Sequence, residues 1–193
     1  LVTAGALLFI WSFYGIEGLF KKLRIPFVLK PAIGGLLTGG VALALIELSP
    51  DDRVMDVLST GYGILQDALS GDPSRMAAIV LLVVAVGKIL TTSLTIGSGG
   101  SAGVFGPSMV IGGTLGGSIG MVLHGWWPAL VPNPSTLAAV GMAGFFAAAA
   151  NTPLSAVILV SEMTGGYDLI VPAARVCSTS FLVSRRWTLF RRH

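Results

Sequence analysis

The chain has 193 residues, of which 53% are hydrophobic and only 11% are charged, and its mean hydropathy is +0.84. An ordinary soluble domain carries about 25% charged residues, so this chain lacks the side chains that cover a water-exposed surface. The formal net charge of +3 is small, and most of the basic residues lie in clusters at the ends of apolar runs. The composition therefore excludes an ordinary soluble protein and predicts an integral membrane protein.

Two further classes of function are disfavoured by the composition. Nucleic-acid binding combines basic and aromatic residues on a polar surface, and such a surface is missing, so we expect no nucleic-acid partner. The single cysteine, Cys177, excludes an internal disulfide, and no cysteine–histidine spacing matches a metal site. We therefore expect neither a metal ion nor a cofactor.

Four apolar runs are long enough to cross the hydrocarbon core as helices, which requires about 20 residues. Glu17 and Lys88 interrupt two of these runs, and we expect both to lie near segment ends and to extend their charges to the interface. The predicted spans are Leu1–Phe20, Pro31–Leu48, Met76–Ile96 and a run from about Val104 to His124.

The remaining segments differ from these spans in polarity or in length. Arg53–Leu69 mixes apolar with acidic and amide side chains, and we expect an interfacial or re-entrant helix there. Thr136–Ala150 and Leu154–Met163 are too short to span alone, and Leu169–Val183 is followed by two arginines. The sequence thus predicts an all-α polytopic membrane protein, with residues 1–193 forming a single membrane domain.

The charged ends of the segments indicate the orientation of the chain, because an excess of lysine and arginine marks the cytoplasmic side. Asp51 and Asp52 lie between two basic clusters and are expected on the opposite side, so that the C-terminus is cytoplasmic. The first basic cluster is Lys21, Lys22, Arg24 and Lys30, and the second is Arg185, Arg186, Arg191 and Arg192.

Three interruptions break the apolar segments, at Gly97–Gly103, Asn151–Pro153 and Gly165–Gly166. Irregular backbone at membrane depth is tolerated only where protein or a water-filled cavity covers it. Broken helices are typical of channels and transporters with a site near the midplane. The interruptions therefore favour a transport function.

The stretch Gly103–Pro107 predicts a helix that starts near Val104, because Pro107 suits a first helical turn. The N–H groups of a first turn have no partner within the helix and carry the positive end of its dipole. At membrane depth they need an acceptor, and an anion is a natural one. We expect Gly103, Gly106 and Pro107 to shape this site. The glycines expected to turn the chain sharply and leave these N–H groups uncovered are Gly97, Gly99, Gly100 and Gly103.

Other interpretations of the glycines compete with an anion site. Dinucleotide binding is disfavoured, because Ala102 stands where the third glycine of G-x-G-x-x-G belongs and no soluble strand precedes it. A plain loop at Gly97–Gly103 stays open, although a loop would be more polar. Glycines spaced four apart are better explained by close helix packing. These pairs are Gly112/Gly116, Gly113/Gly117, Gly116/Gly120 and Gly35/Gly39.

An enzymatic function is disfavoured as well. Ser98 or Ser101 offers a nucleophile, but no histidine lies in a membrane segment to activate it. Glu162 lies in a short segment close to two glycines, and we interpret it as structural. We therefore expect a protein that is not an enzyme.

The residues in this order resemble the CLC chloride channels and chloride/proton antiporters. Gly103-Val104-Phe105-Gly106-Pro107 matches the G-x-F-x-P motif of that family, and Gly97–Gly100 is similar to the stretch before it. The later stretch Gly141–Pro172 contains a Gly-Met pair, a Pro-Leu and a Glu-Met-Thr in the order found there. The resemblance covers nearly the whole chain.

The resemblance implies a CLC-like fold with broken and re-entrant helices, of which this chain is the C-terminal half, the second inverted repeat. It implies that the backbone amides of Val104 and Phe105 bind the transported chloride, in a channel or a chloride/proton antiporter. It also implies a homodimer formed through Leu154–Met163 and Leu169–Val183. We expect a multi-pass protein of a bacterial inner membrane.

Two features depart from the family pattern. The motifs of the first repeat are absent, and we interpret a chain that begins with Leu1 inside an apolar run as a piece of a longer polypeptide. The family places a chloride-contacting tyrosine near the C-terminus, and the matching position here is Phe190, which has no hydroxyl for that contact. The alternative function is therefore a truncated, non-transporting assembly fragment.

Overall fold

The computed structural model describes residues 1–48, 52–70, 77–165 and 167–184. These residues form α-helices and two short 3₁₀ helices, with no strand among them, so the predicted all-α class is confirmed. The 3₁₀ helices are Asp52–Val57 and Tyr167–Leu169, and the α-helices are α1 (Val2–Lys22), α2 (Leu29–Leu48), α3 (Tyr62–Ser70), α4 (Ala78–Gly97), α5 (Phe105–Trp126), α6 (Pro134–Ala150), α7 (Pro153–Thr164) and α8 (Ile170–Ser184).

Among the described residues, four helices, α1, α2, α4 and α5, are long and apolar enough to cross a membrane, which agrees with the four predicted spans. Helices α1 and α2 bury few of their residues in the protein, whereas α4 and α5 bury more than half. The exposed apolar side chains of α1 and α2 suit contact with lipid. The chain is therefore a multi-pass membrane protein.

Helix α6 lies at the centre of the fold and is buried on nearly every side. A helix that is apolar all round can be covered only by other helices, and α5, α7 and α8 all pack on α6. The closest contact is with α5, where backbone meets backbone. A Cβ placed on Gly141 would lie 2.6 Å from the Gly112 carbonyl oxygen and 2.8 Å from the Gly116 Cα. The predicted close packing of these glycines is confirmed.

For the pair Gly35/Gly39 in α2, close packing stays a prediction. A Cβ built on either glycine meets no atom within 4 Å in the described part of the chain. The neighbouring Gly34 is the residue that packs closely, against Ser98 at the end of α4. Spacing alone thus identifies a helix face that suits close packing, but it does not identify which face has a partner.

The segment Arg53–Leu69 is not one interfacial helix. It consists of the 3₁₀ helix Asp52–Val57 and of α3, and the chain turns between them at Gly61, whose φ of +78° other residues rarely adopt. Both pieces bury apolar side chains in the main core, including those of Val57 and Leu65. Packing against α4 and α5 therefore draws this segment into the protein.

The sequence predicts that Lys88 extends to the interface, and this prediction is wrong. Lys88 lies buried in the middle of α4 with 3% of its surface exposed. Its ammonium group donates to the backbone carbonyls of Asp56 (3.1 Å), Val57 (3.2 Å) and Ser59. These carbonyls belong to a short 3₁₀ helix and the turn after it, and a buried carbonyl without a donor is costly. Lys88 therefore holds this turn against α4.

We predict that Gly116→Ala destabilises the protein by about 1–3 kcal/mol, because the new methyl group overpacks the contact with α6. The matched control is Gly125→Ala in the same helix, where a Cβ meets no described atom within 4 Å. There the change is expected to be neutral or to stabilise by about 0.5–1 kcal/mol, as alanine favours helix. Thermal unfolding in detergent compares the two variants, and equal melting temperatures would contradict the packing account.

Candidate functional site

Helix α5 begins where the sequence predicts. It starts at Phe105 with Val104 as its N-cap, and Pro107 lies in its first turn. The Val104 carbonyl accepts hydrogen bonds from the N–H (3.1 Å) and the hydroxyl (2.7 Å) of Ser108. Within the described part of the chain, the N–H groups of Val104 and Phe105 have no acceptor. The positive end of the α5 dipole therefore lacks a protein partner among these residues.

The glycines just before α5 serve the end of the preceding helix. Gly99, with a φ of +94°, donates its N–H to the Ile96 carbonyl (2.9 Å), and Gly100 donates to the Thr95 carbonyl (3.0 Å). This pair of bonds is a Schellman motif, which closes the C-terminus of α4. The two glycines provide the sharp turn that the sequence predicts, but their own N–H groups are used there. Only Gly103 stands directly before the open N–H groups of α5.

One side of the α5 N-terminus opens onto a cavity of about 490 Å³, which we call the Phe105 cavity. The Phe105 ring packs edge to face on Phe146, with 5.0 Å between the ring centroids. None of the lining residues carries a formal charge, so an anion there would meet amide and hydroxyl dipoles rather than a fixed cation. The lining residues are Val104, Phe105, Ser108, Phe146, Ala149, Ala150, Thr152 and Ser155.

A second helix N-terminus borders the Phe105 cavity. Helix α7 begins at Pro153 with Thr152 as its N-cap, and the chain enters it through Asn151, whose φ of 58° is left-handed. The Thr152 side chain makes no capping hydrogen bond. The hydroxyls of Thr152 and Ser155 have no hydrogen-bond partner within the part of the protein that is described. The cavity thus receives two hydroxyl donors and the positive ends of two helices.

Sequence reasoning missed the contribution of α7. From the sequence, Asn151–Pro153 is interpreted only as an interruption, although a proline after asparagine and threonine also marks a helix start. That local signal predicts the helix, but it does not predict that this N-terminus lies beside α5. The contact arises because α6 packs along α5 and returns the chain to the α5 N-terminus.

The predicted site residues divide between two sides of α5. Gly103, Gly106 and Pro107 line a separate cavity of about 490 Å³ together with Tyr62. A Cβ on Gly106 would lie 3.2 Å from the Tyr62 hydroxyl oxygen. Phe190 lies outside the described residues. Of the predicted set, Val104 and Phe105 are the residues that line the Phe105 cavity.

Comparison with known proteins finds relatives that are all described as chloride channels or chloride exchange transporters. A family profile described as voltage gated chloride channel matches residues 1–185. The H⁺/Cl⁻ exchange transporter ClcA of Vibrio cholerae is 31% identical over 183 residues, which cover 89% of this chain and 38% of that protein. A ClcB-like protein of Ralstonia nicotianae is 30% identical over 168 residues, which cover 87% of this chain and 36% of that protein.

A solved structure agrees with these relatives. The crystal structure of a slow cyanobacterial Cl⁻/H⁺ antiporter matches with a TM-score of 0.68 at 25% identity, over 96% of this chain and 42% of that chain. The chain spans well under half the length of the relatives it matches. The family profile nevertheless covers nearly all of the chain, and the fold is that of a family member. The chain therefore belongs to the voltage-gated chloride channel family, the CLC family that its motifs resemble.

Proposed function

We propose that residues 1–193 form one membrane domain, the second repeat of a CLC-type protein, and that this protein transports chloride. The anion binds the N–H groups of Val104 and Phe105. One observation carries the proposal: these two donors have no acceptor among the described residues, and they border an uncharged cavity. The antiporter of matching fold moves chloride, which supports the choice of this ion.

The proposed site holds the anion by dipoles alone. A helix N-terminus is equivalent to roughly half a positive charge, and two such ends border the Phe105 cavity. Transport requires binding that favours entry but still permits release. The buried cation of α4, Lys88, donates to three backbone carbonyls and does not line this cavity. An uncharged site with oriented donors therefore suits a transported anion better than a permanently bound one.

The proposal covers both a channel and a chloride/proton antiporter. The description of the family profile names a channel, and the V. cholerae relative is named an exchange transporter. Both descriptions are of transport rather than of an enzymatic reaction. Coupling to protons requires a titratable group, and the lining of the Phe105 cavity contains none. We infer that any proton path uses other parts of the protein and that the anion step is common to both modes.

We propose a bacterial inner-membrane location with the C-terminus in the cytoplasm. The relatives are bacterial, which supports the membrane type. Helix α1 ends at Lys21 and Lys22, and basic residues at the end of a span favour the cytoplasmic side. The second basic cluster, Arg185, Arg186, Arg191 and Arg192, lies outside the described residues.

We also propose a homodimer formed by α7 and α8, which include most of Leu154–Met163 and Leu169–Val183. These helices pack on each other and on α6, yet they expose large apolar side chains on their outer face. Leu154 is 80% exposed and Val171 is 62% exposed. A second copy would cover this face with apolar surface.

The anion site is tested by Gly103→Val and Val104→Ala. We expect Gly103→Val to weaken chloride binding about tenfold, because a bulky side chain directly before Val104 hinders the approach of an anion to the neighbouring open N–H groups. A Cβ on Gly103 meets no described atom within 4 Å, so the fold should tolerate it. Val104→Ala keeps the N–H group and should change affinity less than about twofold. Titration calorimetry with chloride measures both variants.

Chloride efflux from liposomes separates the transporting protein from an assembly fragment. If Gly103→Val binds chloride as tightly as the unchanged protein, the backbone site is wrong. Chloride binding without any efflux from the unchanged chain would support the assembly alternative for this chain by itself.

The dimer is tested by placing the same charge on two different apolar faces. We expect Leu154→Asp to convert the dimer to a monomer, because a charge in the interface has no partner. Leu36→Asp on α2 is the matched control, since Leu36 is 78% exposed outside the proposed interface. Light scattering in detergent gives the oligomeric state. A monomeric unchanged protein, or equal dissociation in both variants, would contradict the proposal.

A further inference from the structure

The connector between α1 and α2 alternates basic and apolar residues on its exposed surface. Lys22 and Arg24 are exposed, and neither has an acidic partner in the described ranges. Phe27 is 74% exposed and Val28 is 82% exposed. Because α1 and α2 are both long enough to span a membrane, their connector lies at a membrane face. Such a surface meets both headgroups and the upper part of the acyl chains.

Beside this connector lies a cavity of about 420 Å³ between α1, α2 and the end of α4, which we call the connector cavity. Its lining includes the rings of Phe13, Phe20 and Phe27, and its charged residues include Lys21 and Lys30. Apolar side chains and lysines thus share one cavity. This combination suits an amphiphile with an acyl chain and an anionic head.

The carboxylate that lines the connector cavity is already paired. Glu17 forms an ion pair with Lys21 at 2.7 Å. The end of α4 also borders the cavity, and its Thr95 carbonyl accepts hydrogen bonds from the Gly100 N–H and the Ser98 hydroxyl. Lys30 is therefore the lining cation that keeps an uncompensated charge among the described residues.

Lys30 lies at an unfavourable end of its helix. It is the second residue of α2, where the helix dipole is positive and an acidic side chain would be favoured. No ion pair of Lys30 exists among the described residues. An external anion would stabilise a lysine at this position.

We propose that the connector cavity binds an anionic phospholipid, with the phosphate at Lys30 and an acyl chain along the phenylalanine rings. Basic pockets between membrane helices bind anionic headgroups, and each lysine near the surface contributes about fivefold in affinity. The occupant is a lipid rather than a free phosphate, because the apolar lining would remain exposed to water around a soluble ion. This site is separate from the Phe105 cavity and does not depend on anion transport.

Lipid binding to the purified chain in detergent tests the proposal by native mass spectrometry. The probes are phosphatidylglycerol and phosphatidylcholine with identical acyl chains, with inorganic phosphate as a soluble competitor. We expect phosphatidylglycerol to bind about tenfold more tightly than phosphatidylcholine, and Lys30→Gln to lower its affinity about fivefold. Lys30→Arg should restore the affinity, because the charge is retained.

Arg175→Gln is the matched control, since it removes one exposed positive charge from α8, which does not line this cavity. Because α8 belongs to the proposed dimer interface, light scattering first establishes that the variant keeps the oligomeric state of the unchanged protein. It should change phosphatidylglycerol affinity less than about twofold. Equal binding of the two lipids, or an equal loss in Lys30→Gln and Arg175→Gln, would overturn the proposal. Full displacement of the lipid by millimolar phosphate would also overturn it, in favour of a soluble anion site.

Discussion

The structure depends on one constraint: a backbone N–H or carbonyl inside a membrane must have a partner. A continuous helix satisfies this constraint everywhere except at its ends, and this chain has such ends between α4 and α5 and between α6 and α7. The two sides of the first break are treated differently. The end of α4 is closed by the N–H groups of Gly99 and Gly100, whereas the start of α5 is left open at Val104 and Phe105. That asymmetry is the basis of the proposed anion site at the α5 N-terminus.

Close packing brings the second open helix end to the same place. Glycines at one face of α5 allow the backbone of α6 to approach within contact distance, and α6 then runs back to the level where α5 begins. Thr152 and Ser155 at the start of α7 consequently line the same cavity as Phe105. The same constraint explains Lys88, which supplies donors to the carbonyls of a turn that has too few backbone partners. A buried charge is here a structural partner for backbone groups.

Local features of the fold follow from the sequence, and distant contacts do not. The start of α5 is predictable, because Pro107 and the flanking glycines act within a few residues of Val104. The partner of Lys88 is not, since Asp56 and Ser59 lie about thirty residues away along the chain. The pair Gly35/Gly39 has the same spacing as Gly112/Gly116, yet within the part of the chain that the structure describes only the second pair meets another helix. Hydrophobic spacing specifies helices and their faces, but the pairing of faces is decided by the whole fold.

The most direct test removes one N–H group and leaves every side chain in place. Replacing Phe105 by its α-hydroxy analogue converts its amide into an ester, and the same replacement at Phe13 in α1, outside the Phe105 cavity, controls for the ester itself. A hydrogen bond to a charged group is worth about 1.5–3 kcal/mol, so the ester at Phe105 should weaken chloride binding about tenfold to a hundredfold. The Phe13 ester should leave the dissociation constant unchanged. Equal chloride affinity in the two ester variants and the unchanged protein would contradict a backbone anion site.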